Sequence, residues 1–211
     1  MPEEQAEAKN TPAHQRLTLD DVLSSALDLL NAQGIEQVTL RGVARRLGVH
    51  LNSVSFQVKS KARLYELLAD RILGEVSTRD LPLGPRARVV ELAGRYRRAL
   101  LSHRDGARIV MGTTAVERNT LTVGDIMVGA LLEGGADKVT CTRSFWAISY
   151  FILGIAQEEQ NWPDNADYRL RKALEIGSYP TLEKVSAALT EDSFDERFRF
   201  GMDALLSAAG I

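Results

Sequence analysis

Apolar residues along this chain recur at spacings of three and four, the period of helices rather than of strands. After Thr18 they fall at Leu19, Val22, Leu23, Ala26, Leu27, Leu29 and Leu30, which is one stripe of an amphipathic helix. Thr18, with Asp21 three residues on, supplies an N-cap, and Gly34 a stop. A second, short helix begins behind Thr39, turns Leu40, Val43, Ala44 and Leu47 inward, and ends at Gly48. Val54, Phe56 and Val58 form a third apolar set, and Ser60 opens a helix through Leu64, Leu67, Leu68, Ile72 and Val76. Pro82, Gly84 and Pro85 then break the chain, which places a domain boundary near residue 80.

Beyond the break, Val89, Leu92, Ala93, Tyr96 and Leu100 form a stripe, with Arg95, Arg97 and Arg98 expected on the wet side. Further helices are expected from about Val116 to Leu132, Lys138 to Gln160, Thr181 to Leu189 and Phe194 to Ala208. The last opens on Ser193-x-x-Glu196, the pattern of a capping box. Residues 1–16 hold no apolar side chain larger than the first Met and read as a disordered tail. The pattern specifies an all-α fold.

Composition narrows the class. The chain has 211 residues, 45% of them hydrophobic, enough for a core. One cysteine, Cys141, excludes an internal disulfide framework, and no Cys/His spacing suits zinc, so neither metal nor cofactor is expected. The acidic start (Glu3, Glu4, Glu7) is unlike a signal peptide, and the apolar run Phe145–Ala156 is shorter than the ~20 residues of a membrane span. A soluble, cytoplasmic protein with no membrane partner is the expectation.

Charge is unevenly placed. Between Thr39 and Arg63 lie six basic residues (Arg41, Arg45, Arg46, Lys59, Lys61, Arg63) and no acidic one, which leaves 20 basic against 28 acidic residues elsewhere. Such a block is either a solvated helical face or a footprint for a polyanion. The hydrophobic pattern within it decides for the polyanion, because Thr39 to Val58 has the anatomy of a helix-turn-helix. Ala44 is small where a second helix must cross, Gly48 supplies the turn, Val49 pins it, and Val54 and Val58 hold the second helix inward. Leu51, Asn52, Ser53, Ser55, Phe56 and Gln57 are left near the exposed start of that helix. There Asn, Ser and Gln suit base edges, and Leu51 or Phe56 a thymine methyl. Arg41, Lys59 and Lys61 suit phosphate oxygens.

The ordered set Ser25–Glu36, Thr39–Val49 and Val58–Lys61 resembles the N-terminal domain of the TetR family of transcriptional repressors, over residues 17 to about 76. The resemblance implies that Thr39 and Arg41 begin the positioning helix, that Leu51–Gln57 belong to the recognition helix, and that Lys61 grips the DNA backbone. Residues 17–80 are then a DNA-binding domain with its linker helix. Residues 81–211 are a ligand-binding and dimerisation domain. The family commonly carries an aromatic pair and a His in the recognition helix. Here Ser55, Phe56 and Gln57 stand instead, so the operator sequence is expected to differ.

Leu101–Thr113 and Leu153–Gln160 further resemble the tetracycline-responsive members of that family. By that resemblance Thr113 and Glu158 are kept as ligand contacts. Val110 replaces a metal-ligating His, Ile126 a drug-binding Gln, and Ser77 a drug-binding His. Tetracycline–magnesium is therefore not the expected effector. What remains is a more apolar cavity lined by Ile109, Val110, Thr113, Ile126, Met127, Trp146, Tyr150 and Phe151, with Glu158, for a hydrophobic or aromatic small molecule; the alternative for each of these residues is ordinary core.

No phosphate loop, nucleophile elbow or metal-ligand pair argues for catalysis, and His14, His50 and His103 are scattered. The stretch Phe145–Ala156 is apolar nearly all round and is expected to be buried on more than one face. It is either the centre of a monomeric bundle or a helix with one face on the core and the other on a partner chain. A homodimer with the Phe194 helix completing a four-helix interface fits an inverted-repeat operator on double-stranded DNA. The Ser60–Val76 helix, as the covalent bridge between the two domains, is the expected lever. Two functions stay open, a ligand-responsive repressor and a DNA-binding dimer without a ligand switch.

Overall fold

Capping and turn residues decide where the N-terminal helices begin and end. The computed structural model describes residues 16–114 and 116–211; the tail expected over residues 1–16 lies, apart from Arg16, outside the described residues. Helix α1 (Leu19–Gln33) opens on a capping box: Thr18 Oγ1 accepts from the Asp21 amide at 3.1 Å, and the Asp21 carboxylate accepts from the Thr18 amide at 2.8 Å. A single 3-10 turn, Ile35–Gln37, leads to α2 (Leu40–Leu47), capped by Thr39, whose Oγ1 accepts from the Gly42 amide at 2.9 Å. Gly48 ends α2 in the left-handed region at φ +66°, where other residues are strained, and the Val49 amide returns to the Ala44 carbonyl at 3.0 Å. Helices α3 (Leu51–Val58) and α4 (Lys61–Leu73) follow, α4 capped by Ser60.

These four helices close over Val22, Ala26, Leu30, Val43, Val54, Val58, Leu64 and Leu68, all fully buried. Each such Val or Leu contributes about 1.5–3 kcal/mol relative to exposure. Ala44 is buried where α2 packs on α3, and a second close approach falls at Gly42. A Cβ on Gly42 would stand 2.5 Å from the Gln37 carbonyl oxygen, so α2 approaches the turn before it only because that residue has no side chain. Tyr65 on α4 donates to the Ile35 carbonyl at 3.0 Å and ties α4 to the same turn.

The remaining helices are α5 (Pro85–Leu101), α6 (Gly106–Met111), α7 (Arg118–Glu133), α8 (Lys138–Asn161), α9 (Ala166–Ile176), α10 (Pro180–Glu183), α11 (Ser186–Glu191) and α12 (Phe194–Ala208). No strand occurs among the described residues. α5 packs on α7 and α8, and α12 on α8. The helix expected over Thr181–Leu189 is instead two short ones, and α6 and α9 had no counterpart in the expected set. α12 opens on the expected capping box, Ser193 with Glu196.

One expectation is corrected by packing. Arg97 is buried, not on the wet side of α5. It lies between Ala93 and Leu100 on the apolar stripe, and its guanidinium donates to Glu159 of α8 at 2.7 and 2.9 Å and to Asp195 of α12. Burial is tolerated because both carboxylates meet the charge. α8 buries one face through Ile148, Ile152 and Ala156, while Val139, Trp146 and Tyr150 remain 50–65% exposed. By length and composition the whole 24-residue helix would suffice to cross a membrane, although the run Phe145–Ala156 alone would not. In the fold it lies packed among α5, α6, α7 and α12.

Helix α4 joins the two halves by more than its covalent chain. Asp70 accepts from the Thr120 amide at 2.8 Å and from its hydroxyl at 3.0 Å, and the Asn119 side chain donates to Asp70 at 3.0 Å. Arg63 pairs with Glu117 just ahead of α7, and the arginine's hydrogen bond holds the Glu117 carboxyl below its ordinary range. A second, separate tie runs from the end of α1. The Ile35 amide donates to Asp105 at 2.8 Å, Arg108 pairs with Glu36 at 2.8 Å, and His103 sits between Asn31 at 3.2 Å and Glu75 at 2.9 Å.

Candidate nucleic-acid interface and cavity

The helix-turn-helix presents its expected residues unequally. Val54 and Val58 face the core, so the helical repeat turns Asn52, Ser53 and Phe56 out together; all three are exposed, Phe56 by 73%. Leu51 and Ser55 are half-buried at the edges of this face. Gln57 is not free, because its side-chain amide donates to the Leu17 carbonyl at 2.7 Å and fixes the chain entering α1. Thr39 uses its hydroxyl as the α2 cap.

Around this face the cations differ in freedom. Arg41, Arg45 and Lys59 are exposed and form no ion pair among the described residues, whereas Arg46 pairs with Asp28 at 3.1 Å. Lys61 is exposed with its ammonium 5.1 Å from the Tyr65 ring centre. Lys59 occupies φ +60° at the end of α3, an uncommon conformation for a residue with a side chain and one that spacing does not reveal. Exposed amide, hydroxyl and aromatic groups ringed by unpaired cations form a surface able to read base edges while holding phosphates.

A cavity of about 1110 Å³ lies behind α4, between α5, α7 and α8. Of the expected lining residues it brings together Val110, Thr113, Ile126, Met127, Trp146 and Tyr150. Ile109, Phe151 and Glu158 are not on its wall. Ile109 is fully buried core, Phe151 stacks on Phe198 of α12 with ring centres 5.9 Å apart, and Glu158 is exposed to solvent. Adjacent Glu159 turns inward to Arg97 instead. Residues that spacing did not single out complete the wall, among them Tyr96, Arg118, Thr120, Val123, Asp125, Phe145 and Ser149. Thr120 belongs both to this wall and to the Asp70 tie, so one residue links the cavity to α4.

The model for the tetracyclin repressor-like C-terminal domain matches residues 81–211. The class C tetracycline repressor protein of Escherichia coli is 34% identical over 197 residues, covering 90% of each chain. Among solved structures, apo ActR from Streptomyces coelicolor superimposes with a TM-score of 0.85 at 26% identity, over 94% of this chain and 99% of that one. The same ActR in complex with actinorhodin superimposes with a TM-score of 0.83 at 25% identity, over 92% of this chain and 95% of that one. With the motif at its N-terminal end and the matched domain behind it, the chain belongs to the tetracycline repressor-like family of transcriptional regulators.

Proposed function

We propose that this chain is a homodimeric, operator-binding repressor that leaves its DNA when a small, largely apolar or aromatic effector enters the cavity. Residues 17–80 read the DNA, through Asn52, Ser53 and Phe56 with Arg41, Lys59 and Lys61 on the backbone, and residues 81–211 sense and dimerise. The observation that carries the reading is the continuity from Thr120 on the cavity wall, through Asp70, into α4, whose start abuts the recognition helix α3. An effector that favours the DNA-incompetent placement of α4 releases the operator by that difference in affinity alone.

The exposed apolar residues of α8 (Val139, Trp146, Tyr150) and of α12 (Phe200) support the dimer, because water-exposed aromatic groups on neighbouring helices suit a partner's surface. A magnesium chelate fits this cavity poorly. The Val110 side chain has no lone pair to offer, and among the described residues Asp125 is the single carboxylate on the wall. That ActR, of the same fold, forms a complex with the small molecule actinorhodin supports a small-molecule effector here.

The test is an anisotropy titration on the DNA immediately upstream of the protein's own gene, with excess nonspecific competitor. Binding that survives competitor and protects an inverted repeat, with half-sites about one helical turn apart, is expected. Binding that competitor abolishes would contradict a specific operator.

A further inference from the structure

One buried side-chain hydroxyl on the cavity wall has no partner among the described residues. Tyr96 of α5 is 8% exposed and lines the cavity, and its hydroxyl makes no hydrogen bond among the described residues. The little surface that Tyr96 keeps borders the cavity it lines. Burial pushes the phenol far above its ordinary range, so it stays a neutral O–H with a proton to give.

Of the other hydroxyls of the wall, those of Thr114 and Tyr150 belong to exposed residues and reach water, and the rest spend their protons on the protein. Thr113 donates to the Val110 carbonyl at 3.0 Å, Ser149 to the Phe145 carbonyl at 2.8 Å, Thr122 to the Arg118 carbonyl at 2.7 Å and Thr120 to Asp70 at 3.0 Å. Tyr96 is thus the buried donor on this wall that a ligand alone would satisfy. The body of the cavity is apolar, lined by buried Val123 and Met127 together with Phe145, Trp146 and Tyr150. A buried donor of this kind penalises any ligand that leaves it unpaired.

Building on the effector cavity proposed above, we infer that Tyr96 is the specificity-determining donor of this site. Its ligand is a mostly apolar, ring-containing molecule that carries a carbonyl-type hydrogen-bond acceptor on the part facing α5.

Two matched probes test this: 2-acetylanthracene, with a carbonyl acceptor, and 2-ethylanthracene, of similar shape without one. Their dissociation constants are read by tryptophan quenching with the full-length protein and with Tyr96→Phe, which keeps the ring and removes the oxygen. The wild type is expected to prefer the ketone by about tenfold, the size of one buried hydrogen bond. Tyr96→Phe is expected to erase that preference and to leave 2-ethylanthracene binding within about twofold. Its melting temperature is expected to match or exceed the wild type, since the hydroxyl has no partner to lose. Equal binding of both probes by the wild type, an unchanged ketone preference in Tyr96→Phe, or a lowered melting temperature would overturn the assignment while leaving the cavity reading intact. No saturable quenching by either probe in either protein would overturn the cavity reading and this assignment with it.

Discussion

Asp70→Ala is the perturbation that most directly separates the reader from the sensor. In the wild type its two carboxylate oxygens receive three hydrogen bonds from the first turn of α7, at 2.8, 3.0 and 3.0 Å. α7 has no side-chain cap of its own from Glu117, so this carboxylate from α4 does the capping across the interface. A hydrogen bond to a charged group is worth about 1.5–3 kcal/mol when buried. Asp70 is half-buried, and Asn119 keeps its bond to the Asp70 backbone carbonyl at 3.1 Å, so the loss comes to about 3 kcal/mol rather than the full sum. Asp70→Asn preserves shape and one acceptor and should cost about 1 kcal/mol. Urea unfolding at one fixed protomer concentration measures both. With α4 untied from α7, effector binding should also lose its grip on DNA. The ratio of operator affinities without and with effector should fall at least about tenfold, because the effector no longer weakens DNA binding, while operator affinity without effector and effector affinity without DNA each change little. A stability loss below about 0.5 kcal/mol in Asp70→Ala, or an unchanged ratio, would refute the reasoning.

Four further variants separate roles within the molecule. Arg41→Ala with Lys61→Ala should flatten the dependence of operator affinity on salt, by about 3.6 in the log–log slope for four phosphate contacts per dimer; an unchanged slope in a salt titration would remove both residues from the DNA contact. Phe56→Ala should leave stability within about 0.5 kcal/mol yet weaken the operator more than random DNA. Gln57→Ala should do the reverse, costing about 1 kcal/mol by thermal melting with sequence preference kept, because its amide is bound to Leu17. Arg97→Ala should destabilise by about 2–3 kcal/mol in urea, since it strands Glu159 and Asp195, a figure reduced from that of a fully buried pair because Asp195 is 74% exposed.

Local signals carried the N-terminal half of this fold. Thr18, Gly34, Thr39, Gly48 and Ser60 each act within three or four residues of their partners, so capping chemistry and spacing were enough to place α1 to α4. What spacing missed depends on residues far apart in the chain. Asp70 and Thr120 are 50 positions apart, and each alone is an ordinary polar residue on a helix. Arg97 looks solvent-bound until Glu159 and Asp195, from two other helices, arrive to meet its charge. The cavity was legible where an apolar residue replaced a polar one, as at Val110 and Ile126. Phe151 and Ile109 share the same chemistry but face α12 and the core, and only the rotation of their helices decides that. Tyr96 reads as one more member of the α5 stripe, and nothing in its spacing reveals an unpaired hydroxyl.

The central claim is a single coupling free energy between the cavity and the recognition helix, and linkage tests it most directly. Once a ligand has been found, operator affinity is measured with and without saturating ligand, and ligand affinity with and without saturating operator, on the same preparation. The two ratios must be equal, and a working switch predicts both to be near one hundredfold, with the ligand lowering operator affinity. Ratios of one in both directions, with each partner still binding tightly, would contradict it and leave a DNA-binding dimer whose cavity has no hold on α4.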